Sequence, residues 1–472
     1  MLKKFISQFH FKFPRSIVYM LQSVEYNIKE YLKWLRRVEH FGHVEKRKSL
    51  VVNRKTRVIL AFTWFLIFAL ITAWLVASYY IGLWFLILVP VTPILSAVFL
   101  VVPIWLSKVF IQKPIQHRKT KRAKKKLQSH PAIRIAIAGS YGKTSMRNIL
   151  YTILSEGKKV ATQEHNYNTF IGISDFIEKL TGDEEVLIFE LGEYHVGDIR
   201  KMCEIIKPDI GIITGVNEAH LVNFKSITET KKEIFTLADF VQGNKLYLNG
   251  ENRICAEAKI ADAILYNRKS VGGWSILNPE SDLEGTRFAM NNGQAEIRAN
   301  SKLLGLHQIG PLAVSAEIAS KLGLSTEQIE AGLSKTRAFE HRLEPRISSA
   351  GVITLDDSYN GNPDGVSAVI DFLASLVGHR RFYMTPGLVE LGSSSEAVHR
   401  EIGKKLAKSG IENVILISNS VTPDIEFGLR EHKYTGKVTK FDDALTAFHS
   451  LQHITTVGDV VLMQNDWPDQ YT

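Results

Sequence analysis

Two uncharged apolar runs, VILAFTWFLIFALITAWLVASYY at 58–80 and LWFLILVPVTPILSAVFLVVPIWL at 83–106, constrain this chain more than any other feature. Each is long enough to cross a bilayer, which takes about 20 apolar residues in a helix. Arg54, Lys55 and Arg57 precede the pair, and Lys108, Lys113 and the run RKTKRAKKK at 118–126 follow it. Loops rich in lysine and arginine stay on the cytoplasmic side. The spacing therefore predicts a two-pass hairpin over 58–106, with its tip near 78–82 and both termini in the cytoplasm. Pro90, Pro93 and Pro103 are expected to kink the second span, which membrane helices tolerate when freed carbonyls find partners. A cleaved signal peptide does not fit, because the first run is too long and starts too far from the N-terminus.

Charge is divided in the same way. Residues 1–130 hold 23 Lys/Arg against 4 Asp/Glu, while the rest of the chain is acidic and brings the total to +10. A nucleic-acid binder would carry the positive charge on its folded body. Here it flanks apolar spans, so the partner it suits is the anionic face of the cytoplasmic membrane, and no nucleic acid is expected. Upstream, Ile17, Met20, Leu21, Val24, Ile28, Leu32, Leu35 and Val38 keep helical spacing beside Lys29, Lys33, Arg36 and Arg37. That pattern fits a helix lying on the inner leaflet with Trp34 near the headgroups, and equally a helix packed on protein. The chain thus divides into a basic amphipathic segment (1–57), two spans (58–106) and a basic linker (107–130). Cys203 and Cys255 lack Cys-x-x-Cys spacing and can build neither a disulfide framework nor a thiolate zinc site.

After the basic run, IRIAIA breaks into GSYGKTS (139–145) and then the helical MRNILYTIL. Strand, glycine loop and helix in that order form a phosphate cradle: glycines let backbone amides approach the phosphates, and the helix N-terminus adds its dipole. Gly139, Ser140, Gly142 and Ser145 would line the cradle, Lys143 would neutralise the β/γ-phosphates and Thr144 would ligate Mg²⁺. Ile137 stands where a full Walker A loop has its first glycine. Further apolar strands at 186–192, 209–217 and 245–252 alternate with helical patterns, which predicts a largely parallel α/β sheet with ligands at the strands' carboxyl ends. Glu190 and His220 fall at or beyond two such ends, where a carboxylate can hold Mg²⁺ and an imidazole can support a metal site. Taken singly, Glu190 also reads as a solvated strand-end charge and His220 as a packed or capping histidine. Residues 345–472 read as a second compact α/β unit. Gly387 and Glu390 follow one of its strands, as substrate contacts or as turn residues.

Together these pieces resemble the Mur ligases, ATP-dependent amide-forming enzymes of peptidoglycan synthesis, and among them the MurF type, which adds D-alanyl-D-alanine to a UDP-linked muramoyl tripeptide. The matching segments are GSYGKTS (139–145), HNYNTFIG (165–172), ELGEYHVGD (190–198), NEAHL (217–221), TKKEIF (230–235), EHRLE (340–344), DDSYNGNPD (356–364) and ELG (390–392) with His399. They run in order from about residue 133 to the C-terminus. The resemblance implies a central P-loop ATPase domain (131–341) and a Rossmann-like C-terminal domain (342–472), closing on ATP about a hinge near 339–349. It implies that Lys143 and Thr144 hold the phosphates and a first Mg²⁺, that Glu190 is a metal ligand, and that His220 serves a second Mg²⁺. It further implies that Lys231 is carbamylated into an anionic metal ligand, although on spacing alone Lys231 is a helix-surface charge. Asn166 and Asn168 would lie near the γ-phosphate, Arg342 would reach a phosphate and Asp357 the ribose, and Tyr359, Asn360, Asn362 and Glu390 would meet substrate. The chemistry implied is phosphorylation of a carboxylate to an acyl phosphate, followed by attack of an amine, with anion neutralisation supplying most of the catalysis.

Three departures stand out. The family begins with a soluble UDP-gripping domain, and here the hairpin stands in that place, which points to a lipid-linked substrate or to one held by an envelope-synthesis partner. Pro311 replaces an asparagine that in the family lies near the adenine. QND at 464–466 replaces a Lys-Gly-Ser loop, which points to a different acyl donor or acceptor. The reading is thus a membrane-anchored amide ligase acting on a peptidoglycan-type precursor, UDP-linked or lipid-linked. The alternatives are a ligase for another, polyglutamate-like polymer and a nucleotide-binding pseudo-ligase scaffold.

Overall fold

The computed structural model describes residues 2–24, 26–38, 40–44, 50–164, 167–217, 224, 226–359, 361–389 and 391–465. They fall into two compact units, one up to residue 118 and one from residue 119 onward. Asn166, His220, Asn360 and Glu390 lie outside the described residues.

In the first unit the helical pattern of 17–38 is split into helices Phe13–Ser23 and Ile28–Arg37. Tyr26 takes a left-handed backbone (φ 59°), and the Asn27 side chain accepts hydrogen bonds from the Lys29 and Glu30 amides, which starts a new helix. The apolar faces are occupied by protein. Phe13, Ile17, Leu21, Tyr31 and Leu35 share a core with Ala97 and Leu100, and the Tyr31 hydroxyl donates to the Ala97 carbonyl at 2.9 Å. Lys29, Lys33, Arg36 and Arg37 remain exposed. Trp34 meets the Phe41 ring edge-on. Of the two predicted spans, the first is the uninterrupted helix Arg54–Tyr80, capped by Asn53. The second lies in the helical run Leu83–Gln128, which is 3₁₀ over Leu83–Val91, where Pro90 and Pro93 remove two backbone donors, α-helical over Thr92–Phe99 and Val101–Ser107, and π-helical over Lys108–Gln112. Both helices are long and apolar enough to cross a membrane.

The second unit carries two sheets. The larger has the strands β1 (Ile133–Ala138), β2 (Val160–Thr162), β3 (Val186–Glu190), β4 (Ile210–Ile213), β5 (Leu246–Asn249), β6 (Ile264–Tyr266), β7 (Ser270–Val271), β8 (Trp274–Asp282), β9 (Gly285–Asn291) and β10 (Glu296–Ser301). Their order is β2-β3-β1-β4-β5-β6-β7-β8-β9-β10. Pairing is parallel from β2 to β6 and antiparallel beyond. The parallel strands are apolar without alternation because both faces are covered, each by its own core. β1 lies between β3 and β4, so the chain crosses to opposite sides of β1, and the loop after β1 opens at a switch point.

The smaller sheet has β11 (Glu344–Ile347), β12 (Ile353–Asp357), β13 (Arg381–Thr385), β14 (Asn413–Ile417), β15 (Lys437–Phe441) and β16 (Val460–Gln464), in the order β11-β12-β16-β13-β14-β15. Only its β11 pairing is antiparallel among the described strands.

The basic segment read as a linker is helical over Lys113–Gln128. Its last turns belong to the larger domain: Ala123 and Leu127 are buried in that domain's core. Lys119 pairs with Asp175 at 2.6 Å, and the Lys126 ammonium donates to the carbonyls of Glu178 and Leu180. Lys121, Arg122, Lys124 and Lys125 are exposed. Cys203 and Cys255 are free and buried, and burial pushes each thiol up to about 12.

Candidate active site

The loop 139–145 leaves β1 with Gly139 at φ 143° and ends with Gly142 at φ 73°, directly before the helix Lys143–Leu154. A Cβ on Gly139 would come within 2.2 Å of the Thr214 hydroxyl, so no other residue fits there. Thr214, just past β4, fixes the loop by donating its hydroxyl to the carbonyls of Ala138 and Tyr141, and the Ser140 amide donates to the Gly215 carbonyl.

Lys143 and Thr144 open the helix and face two carboxylates from the end of β3. The Thr144 hydroxyl donates to both oxygens of Glu190 at 3.1 Å. Glu190, 2% exposed, also accepts from Asn168 Nδ2 at 3.2 Å and pairs with Arg147 at 3.2 Å. Its backbone is held on both sides by the Gln163 amide. The Lys143 ammonium sits 2.9 Å from each oxygen of Glu193 and also donates to the Gly139 carbonyl. Glu193, Arg147 and Gln163 are not singled out by the sequence reading. Glu193 could have been: it follows Glu190 by three residues in the same strand-end motif. Arg147 follows Lys143 by four, which puts both on one helix face.

The smaller domain faces this loop across a cavity of about 1030 Å³, lined by Tyr141, Ser145, His307, Arg342, Asp357 and Tyr359 among others. Arg342 stands over the Tyr359 ring, 4.8 Å from its centroid, between His341 and Leu343, both in the left-handed region (φ 60° and 51°). Such backbone is uncommon for a bulky residue like Leu343, and it falls within the segment read as a hinge. Burial lowers the Arg342 guanidinium's pKa, and Asp357, Tyr359 and Glu190 raise it.

Asp357, at the end of β12, accepts from the Leu343 amide at 3.2 Å and from Gln464 Nε2 at 2.9 Å, and Tyr383 in turn donates to Gln464 at 2.6 Å. Burial pushes Asp357 up to about 6, against the opposing pull of Gln464 and Arg342. Asn362 caps the helix Pro363–Ser375. The two domains also touch directly: Asn217 Nδ2 donates to Asn362 Oδ1 at 3.0 Å and to Asp364 Oδ2 at 3.2 Å.

His307 lines this cavity too, as does Pro311, which stands where the family carries an asparagine. Burial drives the His307 pKa down to about 4, so the ring is neutral, with Gln308 at 2.9 Å from its Nε2. His399 accepts from the Leu388 amide at 2.9 Å and its other ring nitrogen meets the Ser395 carbonyl at 2.6 Å, which holds the loop of Gly387 in place. Both polar atoms of the Asn465 side chain are buried without a partner among the described residues, against Gly361.

Lys231 stands apart. It is exposed on the helix Ile227–Phe235, 5.8 Å from the Phe235 ring, and is not among the residues lining the cavity. Its neighbour Glu233 is buried and accepts from the Gly197 and Ile199 amides at 2.7 and 2.8 Å, capping the helix Asp198–Ile206.

A sequence profile of the Mur ligase middle domain matches residues 137–319, and one of the Mur ligase glutamate ligase domain matches residues 341–464. The two α/β domains are those of the Mur ligase family. The chain is 27% identical over 301 residues to the UDP-N-acetylmuramoyl-tripeptide--D-alanyl-D-alanine ligase of Escherichia coli (strain K12), covering 61% of this chain and 65% of the relative. To the enzyme of that name from Bacillus subtilis (strain 168) it is 23% identical over 334 residues, covering 70% and 72%. It thus spans somewhat less than two thirds of the Escherichia coli relative's length. Among solved structures, MurF from Acinetobacter baumannii superposes with a TM-score of 0.66 at 21% identity, covering 74% of this chain and 77% of that one. The MurF ligase from Thermotoga maritima in complex with ADP gives 0.64 at 21% identity, covering 74% and 80%. At these identities the superpositions establish the Mur ligase fold of the two domains.

Proposed function

We propose that this chain is a membrane-anchored, ATP-dependent ligase that forms an amide bond on a peptidoglycan-type precursor. The observation that carries the reading is the convergence of Lys143, Thr144 and Glu190 at the ends of β1 and β3, on a loop whose Tyr141, Gly142 and Ser145 line one cavity with Arg342 and Asp357. The residues fit Mg²⁺-ATP. The Gly139 cradle excludes any Cβ, and the hydroxyl and carboxylate oxygens of Thr144 and Glu190 are the hard donors magnesium takes. Bound Mg²⁺-ATP would supply the phosphoryl group that turns a substrate carboxylate into an acyl phosphate.

The chain's own residues do the rest. Lys143 and the loop amides take the terminal phosphates, Arg342 neutralises charge from the opposite domain, and ionised Asp357 accepts hydroxyls of the ribose. Asn166, Asn168 and His220 are assigned with them on the family motifs, Asn168 through its bond to Glu190. Lys231 as a carbamate, serving a second Mg²⁺, rests on its motif alone. The substrate's peptide is assigned, on the family motifs, to Tyr359, Asn360, Asn362 and Glu390. The apolar helices and the cations around them support a two-pass anchor with the ligase domains in the cytoplasm. An envelope-synthesis protein remains a proposed partner for presenting the substrate.

The test is Mg²⁺-ATP-dependent phosphate release by the detergent-purified chain, with D-alanyl-D-alanine and either UDP-linked or lipid-linked muramoyl tripeptide. Release with one of the two establishes the ligase and tells which form of substrate it uses. Release with neither, despite ATP binding, shifts the reading to another polymer or to a scaffold.

Two further results are expected. Lys231→Ala loses roughly tenfold or more in rate and recovers part of it when a small carboxylic acid is added; full activity without the acid removes the carbamate assignment. Nucleotide affinity weakens as pH falls through about 6, because protonated Asp357 loses acceptor capacity, and Asp357→Asn flattens that profile in a fluorescent-nucleotide titration. Fold stability shifts in the opposite sense. The native carboxyl keeps its proton up to about 6 while the unfolded chain releases it near 3.8, so the stability this proton lends is withdrawn as pH rises between those values.

A further inference from the structure

The phosphate-loop lysine is already held by an anion. Lys143 and Glu193 face each other with side chains 11% and 2% exposed, and both carboxylate oxygens lie 2.9 Å from the ammonium. Among the described residues Lys143 is the one side chain within hydrogen-bonding distance of the Glu193 carboxylate. Its neighbours at the strand end are occupied elsewhere: Glu190 takes Thr144, Asn168 and Arg147, and the Tyr194 hydroxyl donates to Asn168. Nucleotide phosphates recruiting Lys143 would take the ammonium from Glu193. A buried carboxylate stripped of its cation is strongly unfavourable, and the incoming phosphates add like charge at close range. A divalent cation arriving with the nucleotide offsets both terms, since it is the largest local charge and carboxylate oxygens are ligands it takes.

We propose that Glu193 is a specificity-determining residue that makes the phosphate loop select metal-complexed over free nucleoside triphosphate. The inference rests on the nucleotide-binding reading above and adds to it a reason why free nucleotide is excluded. Glu193 acts as the anion that free triphosphate must displace uncompensated and that the magnesium complex displaces with its charge balanced.

The test measures dissociation constants of the full-length chain in detergent for ATP with excess Mg²⁺ and with EDTA, in wild type, Glu193→Gln and Glu193→Asp. Glutamine keeps the shape and can still accept from Lys143, but carries no charge. The expected result is that Glu193→Gln tightens binding of free ATP about tenfold or more while changing Mg²⁺-ATP affinity by less than about threefold, so that the magnesium preference collapses. Glu193→Asp keeps the wild-type preference. An unchanged ratio in Glu193→Gln, or a parallel loss of both affinities, overturns the proposal and makes Glu193 a brace for the loop, while leaving the ligase reading intact. Failure of the wild-type chain to bind ATP under either condition overturns the nucleotide reading itself, and this inference with it.

Discussion

Lys143→Met is expected to lower phosphate release by about a thousandfold or more, which corresponds to about 4 kcal/mol of lost transition-state stabilisation. The size of the effect follows from the site's construction. Phosphoryl transfer asks the protein for position and charge rather than for a nucleophile, and Lys143 is the cation placed where the loop amides and the helix N-terminus converge. The same substitution leaves the Glu193 carboxylate buried without the ammonium it holds, so the fold loses stability as well. Lys143→Met combined with Glu193→Gln separates the effects: the melting temperature returns toward wild type, and the activity does not. Recovery of activity in the double variant would show that the lysine serves only to neutralise Glu193.

Glu190→Ala is the second large effect, and it is expected on two readouts. The Arg147 guanidinium, 4% exposed, loses the carboxylate it pairs with at 3.2 Å, and breaking a buried pair from one side costs about 3–5 kcal/mol. Thermal melting should therefore fall sharply. Activity should fall further than stability explains, because Thr144 and Asn168 lose the group that orients them. Pairing Glu190→Ala with Arg147→Met removes the stranded cation and is expected to restore much of the melting temperature with no return of phosphate release. A double variant that turns over normally would rule out Glu190 as a metal ligand.

Some of this architecture is legible in the sequence. The strand-loop-helix at 133–154 is readable because an apolar strand, a glycine loop and an amphipathic helix each have their own period. The recurrence of apolar strands between helical patterns is enough to expect parallel sheets. The antiparallel extension β7–β10 is not legible, because its strands mix polar and apolar residues and half of β8 is exposed to solvent. The break at Tyr26–Asn27 hides inside a periodic pattern, since apolar spacing carries no record of a left-handed residue. Cations mislead at Lys119 and Lys126: a lysine-rich run looks like a solvated linker, yet these two tie the helix to the domain surface through a carboxylate and helix-end carbonyls. In the site, motif residues are readable singly. Their partnerships are not, because Glu193 meets Lys143 and Gln464 meets Asp357 only after distant strands are brought together.

The two cysteines carry a practical consequence. Cys203 and Cys255 are both sealed in a core, with thiols whose pKa burial moves far above neutrality, and maleimides react with exposed thiolates. The native chain is therefore already a silent background for thiol labelling, and no cysteine needs to be removed before one is introduced. Single cysteines at Ser78 and Ser107, in the apolar helices, would test the proposed two-pass anchor with a membrane-impermeant reagent, in a protein whose two Mur ligase domains are left untouched.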